Sequence, residues 1–213
     1  VDDALLCVHQ LHNSYLNLIG ELYKTPNYKE RARAFVATKF NGIKTLIETK
    51  ESNNIDNIIV AQGEILSTNL VQLFLEESNV SSSLISALDF MEIDENKEPK
   101  INLINKRITP ILNQNPSQKI WITQGFICKN ELGEISNLQR GGSDYTASLI
   151  GAAIRAKEVQ IWTDIDGMHN NDPRFVENTF SIKEISFDEA AELAENQKHQ
   201  KKRTHLNYPL IHT

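Results

Sequence analysis

The chain has 213 residues, 40% hydrophobic and 23% charged, with a net charge of −6 at pH 7 and a pI near 5.6. This fits one soluble globular domain with a helical appendage, long enough to bury a core without staples, and the acidic balance argues against nucleic acid or an anionic membrane as the main partner. No apolar run approaches the roughly 20 residues that span a bilayer, no basic n-region signals a leader, and two distant cysteines, Cys7 and Cys128, point to a reducing cytoplasm rather than a disulfide framework.

Residues 4–23 place Leu5, Val8, Leu11, Leu16, Ile19 and Leu22 at helical spacing, and Pro26 ends the pattern. Tyr28 to Thr49 gives a second helix, with Ala34, Phe35, Ile43, Leu46 and Ile47 on its apolar side. Together they predict an antiparallel helical hairpin over 1–50. His9 and His12 lie three apart on the first helix, but without a third ligand they are ordinary histidines rather than a metal site.

Asn57-Ile58-Ile59-Val60 predicts a short buried strand, followed by Gln62-Gly63-Glu64 and an amphipathic helix from Ile65 to Glu77. Glu64 would then stand at a strand-to-helix switch, where open α/β sheets bind ligands. The alternative is a helix-start Glu that complements the dipole. Ser81 to Phe90 predicts a strand leading into Asp89. Arg107 to Leu112 reads as helix end or strand, with Pro110 arguing against a central helix.

Ile120-Trp121-Ile122-Thr123 predicts a strand that Gln124-Gly125-Phe126-Ile127 continues, and Lys129 to Glu134 is a polar turn. Next comes Gln139-Arg140-Gly141-Gly142-Ser143-Asp144-Tyr145, ahead of a helical pattern from Thr146 to Ala156. The paired glycines let the backbone approach a ligand closely. Ser143 or Asp144 stands at the expected N-cap, and the helix N-terminus beside Arg140 suits an anion. A plain turn with a helix cap is the other reading of this run. Val159-Gln160-Ile161-Trp162 predicts a strand ending in Thr163-Asp164-Ile165-Asp166-Gly167. Asn171-Asp172-Pro173-Arg174 is a turn, and Ser186 with Glu189 forms a capping box. Strands alternating with helices across 51–195 predict an α/β fold with a largely parallel sheet and helices on both faces. Residues 196–213 form a polar, basic tail.

Three polar clusters are thus expected at strand ends: Gln62 to Glu64, Arg140 to Asp144, and Thr163 to Arg174. Glycine-rich backbone, arginines and carboxylates suit phosphoryl transfer, in which the protein positions two reactants and spreads charge around a metal-bridged phosphate. Neither a Walker A sequence nor Gly-x-Gly-x-x-Gly occurs. Asp164-x-Asp166-Gly167 is not a calcium loop, since its glycine comes too early and the distal Glu is absent.

Arg140-Gly141-Gly142-Ser143-Asp144-Tyr145-Thr146-Ala147, Ile161 to Gly167, Asp172-Pro173-Arg174 and Ser186 to Leu193 resemble the aspartokinase family in motif, order and spacing, and Gln62 to Ser67 looks like its Gly-Glu segment. The resemblance runs from about Asn57 to Glu195. It implies the amino-acid-kinase fold, a three-layer α/β/α sandwich with a mainly parallel central sheet. It also implies ATP- and Mg2+-dependent phosphorylation of the side-chain carboxylate of L-aspartate, the first step toward lysine, threonine and methionine, by a cytoplasmic enzyme that is a homo-oligomer at full length. By family role, Glu64 would meet the aspartate ammonium, Arg140 a substrate carboxylate, and Gly141, Gly142 and Ser143 the substrate through backbone N–H groups and hydroxyl. Asp144 would organise the reaction centre with Arg140. Thr163, Asp164, His169 and Arg174 would contact the nucleotide, with Arg174 on its phosphates and no metal ligand from the protein.

Three departures accompany the resemblance. The family's opening Lys-Phe-Gly-Gly-Thr-Ser strand has no counterpart, and Lys39-Phe40-Asn41-Gly42 lies inside a helical pattern. The basic tail follows Glu195 where the family continues with Phe-Gly-Ala-Lys, and His169 stands where a tyrosine is common. Regulatory domains have no counterpart either. The expectation is a catalytic domain with little kinase activity as given. Another enzyme of this fold acting on a different acid, or a non-catalytic binding fragment, are the alternatives.

Overall fold

The computed structural model describes residues 2–50, 52–139, 142–162, 167–171, 176–186, 188–190 and 192. The chain divides into two compact units, Val1–Thr146 and Ala147–Thr213.

The first unit opens with the expected hairpin, α1 (Asp2–Leu22) and α2 (Pro26–Thr49), and α1 packs along α2. Pro26 starts α2 rather than merely ending α1. Its fixed φ suits the first helical position, and Thr25 before it is extended (φ −93°, ψ 145°). The amide groups at this end are held from a distance: the Glu77 carboxylate accepts the Thr25 N–H at 2.7 Å and the Lys24 N–H at 3.0 Å. Lys50 closes α2 in the left-handed region (φ 52°), its N–H donating to the Leu46 carbonyl at 3.0 Å.

α3 (Ile55–Glu77) completes a three-helix core. Ile19 and Tyr23, Ala32, Val36 and Phe40, and Leu66 and Leu70 are all buried in one cluster. The Tyr23 hydroxyl spans it, donating to the Leu70 carbonyl at 2.7 Å. This corrects the strand expected at Asn57 to Val60, which is the first part of α3. A short apolar run does not declare its period. Here the helical register buries Ala61 while Val60 stays 53% exposed, and each added residue brings one more backbone hydrogen bond. Contrary to the expectation of no such run, α3 is long and apolar enough by composition to cross a membrane, with a mean hydropathy of 1.4. Its buried face lies in the three-helix cluster and it carries Asp56, Glu64, Glu76 and Glu77, so we read it as a core helix.

Beyond α3, the strand expected from Ser81 to Phe90 is only β1 (Ser83–Leu84), and Asp89 sits in a helical turn, α4 (Ala87–Phe90). α5 (Ile101–Asn113) runs through Pro110. The proline removes one donor to the Lys106 carbonyl, but Lys106 and Pro110 are both exposed, so water satisfies it while Ile104 and Ile108 stay buried. β2 (Trp121–Ile122) pairs parallel with β1. The chain then breaks at Gly125 instead of continuing as one strand: β3 (Ile127–Lys129) pairs antiparallel with β4 (Ile135–Asn137) in a separate sheet. The polar turn between them is as expected, with Gly133 at φ 76° and Asn130 Oδ1 accepting the Leu132 and Glu134 N–H groups. α6 (Gly142–Ile154) follows β4. The α/β class holds, with one parallel and one antiparallel strand pair among the described residues.

In the second unit, the strand expected at Val159 to Trp162 is reduced, among the described residues, to a single β-bridge residue at Val159, and Trp162 is 89% exposed. His169 bridges antiparallel to Ser181. The capping box is present: Ser186 N–H donates to Glu189 Oε2 at 2.9 Å, and the Glu189 N–H returns to Ser186 Oγ at 3.3 Å.

Candidate functional site

Glu64 lies well inside α3 rather than at a strand end, because the strand before it is helix. It is half-buried, and burial raises its carboxyl above the usual range. Tyr15 of α1 is raised too, by burial first and by the Glu64 charge second, which puts the hairpin within electrostatic reach of this carboxylate.

Of the second cluster, Gly142, Ser143 and Asp144 are described, at the start of α6. Gln139 has φ 56°, its N–H held by Asn137 Oδ1 at 2.9 Å, and Gly142 has φ 43° as the first residue of α6. Glycine takes the left-handed conformation at Gly142 without strain. Because α6 starts at Gly142, neither Ser143 nor Asp144 is an N-cap as expected; both sit in its first turn. Ser143 is exposed and Asp144 half-buried. The N–H groups of a helix's first turn have no intrahelical partner, and such an end favours an anion.

Glu64, Gly142, Ser143 and Asp144 therefore belong to the first unit, and His169 to the second. His169 is half-buried, with Nδ1 3.1 Å from Thr179 Oγ1. Arg140, Gly141, Thr163, Asp164 and Arg174 lie outside the described residues.

Residues given no role in the sequence pack against the start of α6. Gly125 packs so tightly on the α6 start that an added Cβ would lie 2.7 Å from Ser143 Cβ and 2.8 Å from Ser143 Cα. The Phe126 N–H donates to Thr146 Oγ1 at 2.8 Å, and Thr146 is buried. The available signal was Gly125 inside a strand pattern, which marks a close backbone approach or a break. Cys128, by contrast, is inert: it is buried, and burial pushes its thiol up to about 12.

The sequence pattern of the amino acid kinase family matches residues 4–206. The chain is 32% identical over 203 residues to a bifunctional aspartokinase/homoserine dehydrogenase of Buchnera aphidicola, covering 91% of this chain and 25% of that protein. It is 38% identical over 143 residues to the lysine-sensitive aspartokinase 3 of Escherichia coli, covering 64% of this chain and 31% of that one. Among solved structures, Escherichia coli aspartokinase III in complex with aspartate and ADP matches with a TM-score of 0.77 at 31% identity, over 91% of this chain and 43% of that one. The chain thus spans between a quarter and a third of these two curated relatives. The family match takes in the leading helices, which carry no diagnostic motif, as well as both polar clusters on α3 and α6. The chain belongs to the amino acid kinase family.

Proposed function

We infer that the chain is the phosphoryl-transfer part of an aspartate kinase, which moves the γ-phosphoryl group of ATP to the side-chain carboxylate of L-aspartate and yields 4-phospho-L-aspartate and ADP. The observation that supports this most is the likeness, over 91% of the chain, to an aspartokinase solved with aspartate and ADP. Such an enzyme is cytoplasmic, works in amino-acid biosynthesis and acts as a homo-oligomer at full length.

In this reading Glu64 receives the aspartate ammonium. Burial makes its charged form costly, and an ammonium beside it offsets that cost. The α6 first turn, with Gly142 and Ser143, and the neighbouring Arg140 and Gly141 take the substrate carboxylate, which the exposed N–H groups and positive helix end favour. One carboxylate oxygen attacks the γ-phosphorus in line, the bond to the β,γ-bridging oxygen breaks, and ADP carries away that electron pair. Arg140 and Asp144 hold the acceptor in line. Thr163, Asp164, His169 and Arg174 take the nucleotide, with Arg174 on its phosphates. Mg2+ enters with the nucleotide, as Mg-ATP.

The 213 residues contain no Lys-Phe-Gly-Gly-Thr-Ser. In this reading the lysine of that motif spreads the transferring charge, and removing one such group costs about 10²–10³ in rate. A coupled ADP-release assay with L-aspartate and Mg-ATP should therefore give slow, aspartate-dependent turnover, with Escherichia coli aspartokinase III as the reference. Turnover equal to the reference would refute the low-activity reading. Turnover with L-glutamate and none with L-aspartate would replace the substrate.

A further inference from the structure

Three consecutive residues, Gln124, Gly125 and Phe126, connect the two turns assigned above to the acceptor amino acid. Gln124 is 3% exposed. Its Oε1 accepts the Ala87 N–H at 2.9 Å. A backbone N–H can only donate, so the side-chain amide has one orientation, and Nε2 faces Thr68 Oγ1 at 2.8 Å. Thr68 Oγ1 must accept there, which leaves its single proton for the Glu64 carbonyl at 2.8 Å. Gln124 therefore holds the helical turn that carries Glu64.

The next two residues hold the other turn. Gly125 lies against Ser143 with no room for a Cβ. The Phe126 N–H donates to Thr146 Oγ1, whose own proton goes to the Gly142 carbonyl at 3.1 Å. Phe126 has φ 68°, a conformation that costs a non-glycine residue of order 1–3 kcal/mol, and its carbonyl accepts the Leu138 N–H at 2.8 Å. The strain is kept where the segment contacts α6.

We propose that Gln124 and Thr146 are positioning residues that fix the spacing between Glu64 and Ser143, and so set affinity for the acceptor amino acid without touching it. This rests on the reading of Glu64 and Ser143 as its binding groups. A merely structural role for these hydrogen bonds would lower stability and leave ligand selectivity alone.

The test is calorimetric titration of L-aspartate and, separately, of Mg-ADP into the 213-residue chain and its Thr68→Val, Thr68→Ser, Thr146→Val and Thr146→Ser variants, with Tm measured for each. Thr68→Val cuts the Gln124 connection to Glu64, and Thr146→Val cuts that to Gly142. Each valine variant should weaken L-aspartate by about tenfold or more, since misplacement on the order of 1 Å costs up to about 10². Mg-ADP affinity should stay within about twofold, and each serine variant should restore aspartate binding. Valine variants that lose Tm but bind both ligands as the wild type does would overturn the proposal. So would equal loss of both ligands, or serine variants that fail to rescue. Wild-type chain that binds no L-aspartate would instead overturn the functional reading itself, and this inference with it.

Discussion

Gly125→Ala is the sharpest single perturbation of the site. Gly125 itself is not at positive φ, so the substitution tests space rather than backbone conformation. The new Cβ would meet Ser143 Cβ at 2.7 Å and Cα at 2.8 Å, against an optimum of about 3.5–4.0 Å between carbons. The deficit is about 1 Å, and a backbone Cα cannot rotate away. Either the α6 start or the Gly125 loop must move by that amount, pulling on the 2.8 Å bond between Phe126 N and Thr146 Oγ1. Overpacking of this kind costs about 1–3 kcal/mol, offset in part by about 0.4–1 kcal/mol from the stiffer unfolded chain. Gly20→Ala and Gly42→Ala are the controls. Both lie in helices with nothing within 4 Å of the added carbon, so each should stabilise by about 0.5–1 kcal/mol. Urea unfolding measures all three, and titration with L-aspartate reads the site. Gly125→Ala as stable as the controls, with unchanged aspartate affinity, would refute the close approach.

Three further outcomes follow from named groups. Tyr23→Phe removes the 2.7 Å bond to the Leu70 carbonyl inside the three-helix core and should cost about 0.5–1.5 kcal/mol in urea unfolding. His12 stacks on Phe40 with ring centroids 4.7 Å apart and a buried, unpartnered Nε2, and burial first, then Lys44 and His9, lower its pKa from 6.5. The unfolded chain thus binds the proton more readily, so stability holds above pH 6.5 and falls as pH drops through it toward the folded value. His12→Phe should flatten that part of a Tm profile between pH 8 and 5, and an unaltered slope would assign it elsewhere. Glu64→Gln removes a carboxylate whose ionisation burial opposes. Since the folded pKa is raised, the cost of charge is present above it, so the variant should be at least as stable at pH 7 by thermal melting. It should lose about 10–100-fold in L-aspartate affinity, the worth of a charged hydrogen bond.

What the sequence revealed was local. The apolar spacing of α1 and α2, the polar turn at Lys129 to Glu134 and the capping box of Ser186 and Glu189 all depend on residues a few positions apart. Ile58-Ile59-Val60 reads as a strand from its apolar run alone, but a strand is defined by its partner, and this stretch is helix, with the neighbouring Asn57 side chain accepting from Asn137 of β4. Gln124 to Ile127 was misread for the complementary reason: Gly125 is dictated by Ser143, and nothing local announces that contact. At the candidate site, the helix start at Gly142 to Asp144 was legible because a glycine followed by a helical pattern is itself a local signal. The role of Gln124 was not, because its partners, Ala87 and Thr68, are distant in sequence.

Glu64 and the α6 first turn are proposed as the acceptor site for L-aspartate. Titration calorimetry of L-aspartate into the 213-residue chain with Mg-ADP present tests it most directly. L-Aspartate should bind saturably, Glu64→Gln should abolish that binding or weaken it at least tenfold, and L-glutamate should give no matching signal. Absent binding by the folded wild-type chain, or equal affinity in Glu64→Gln, would contradict it.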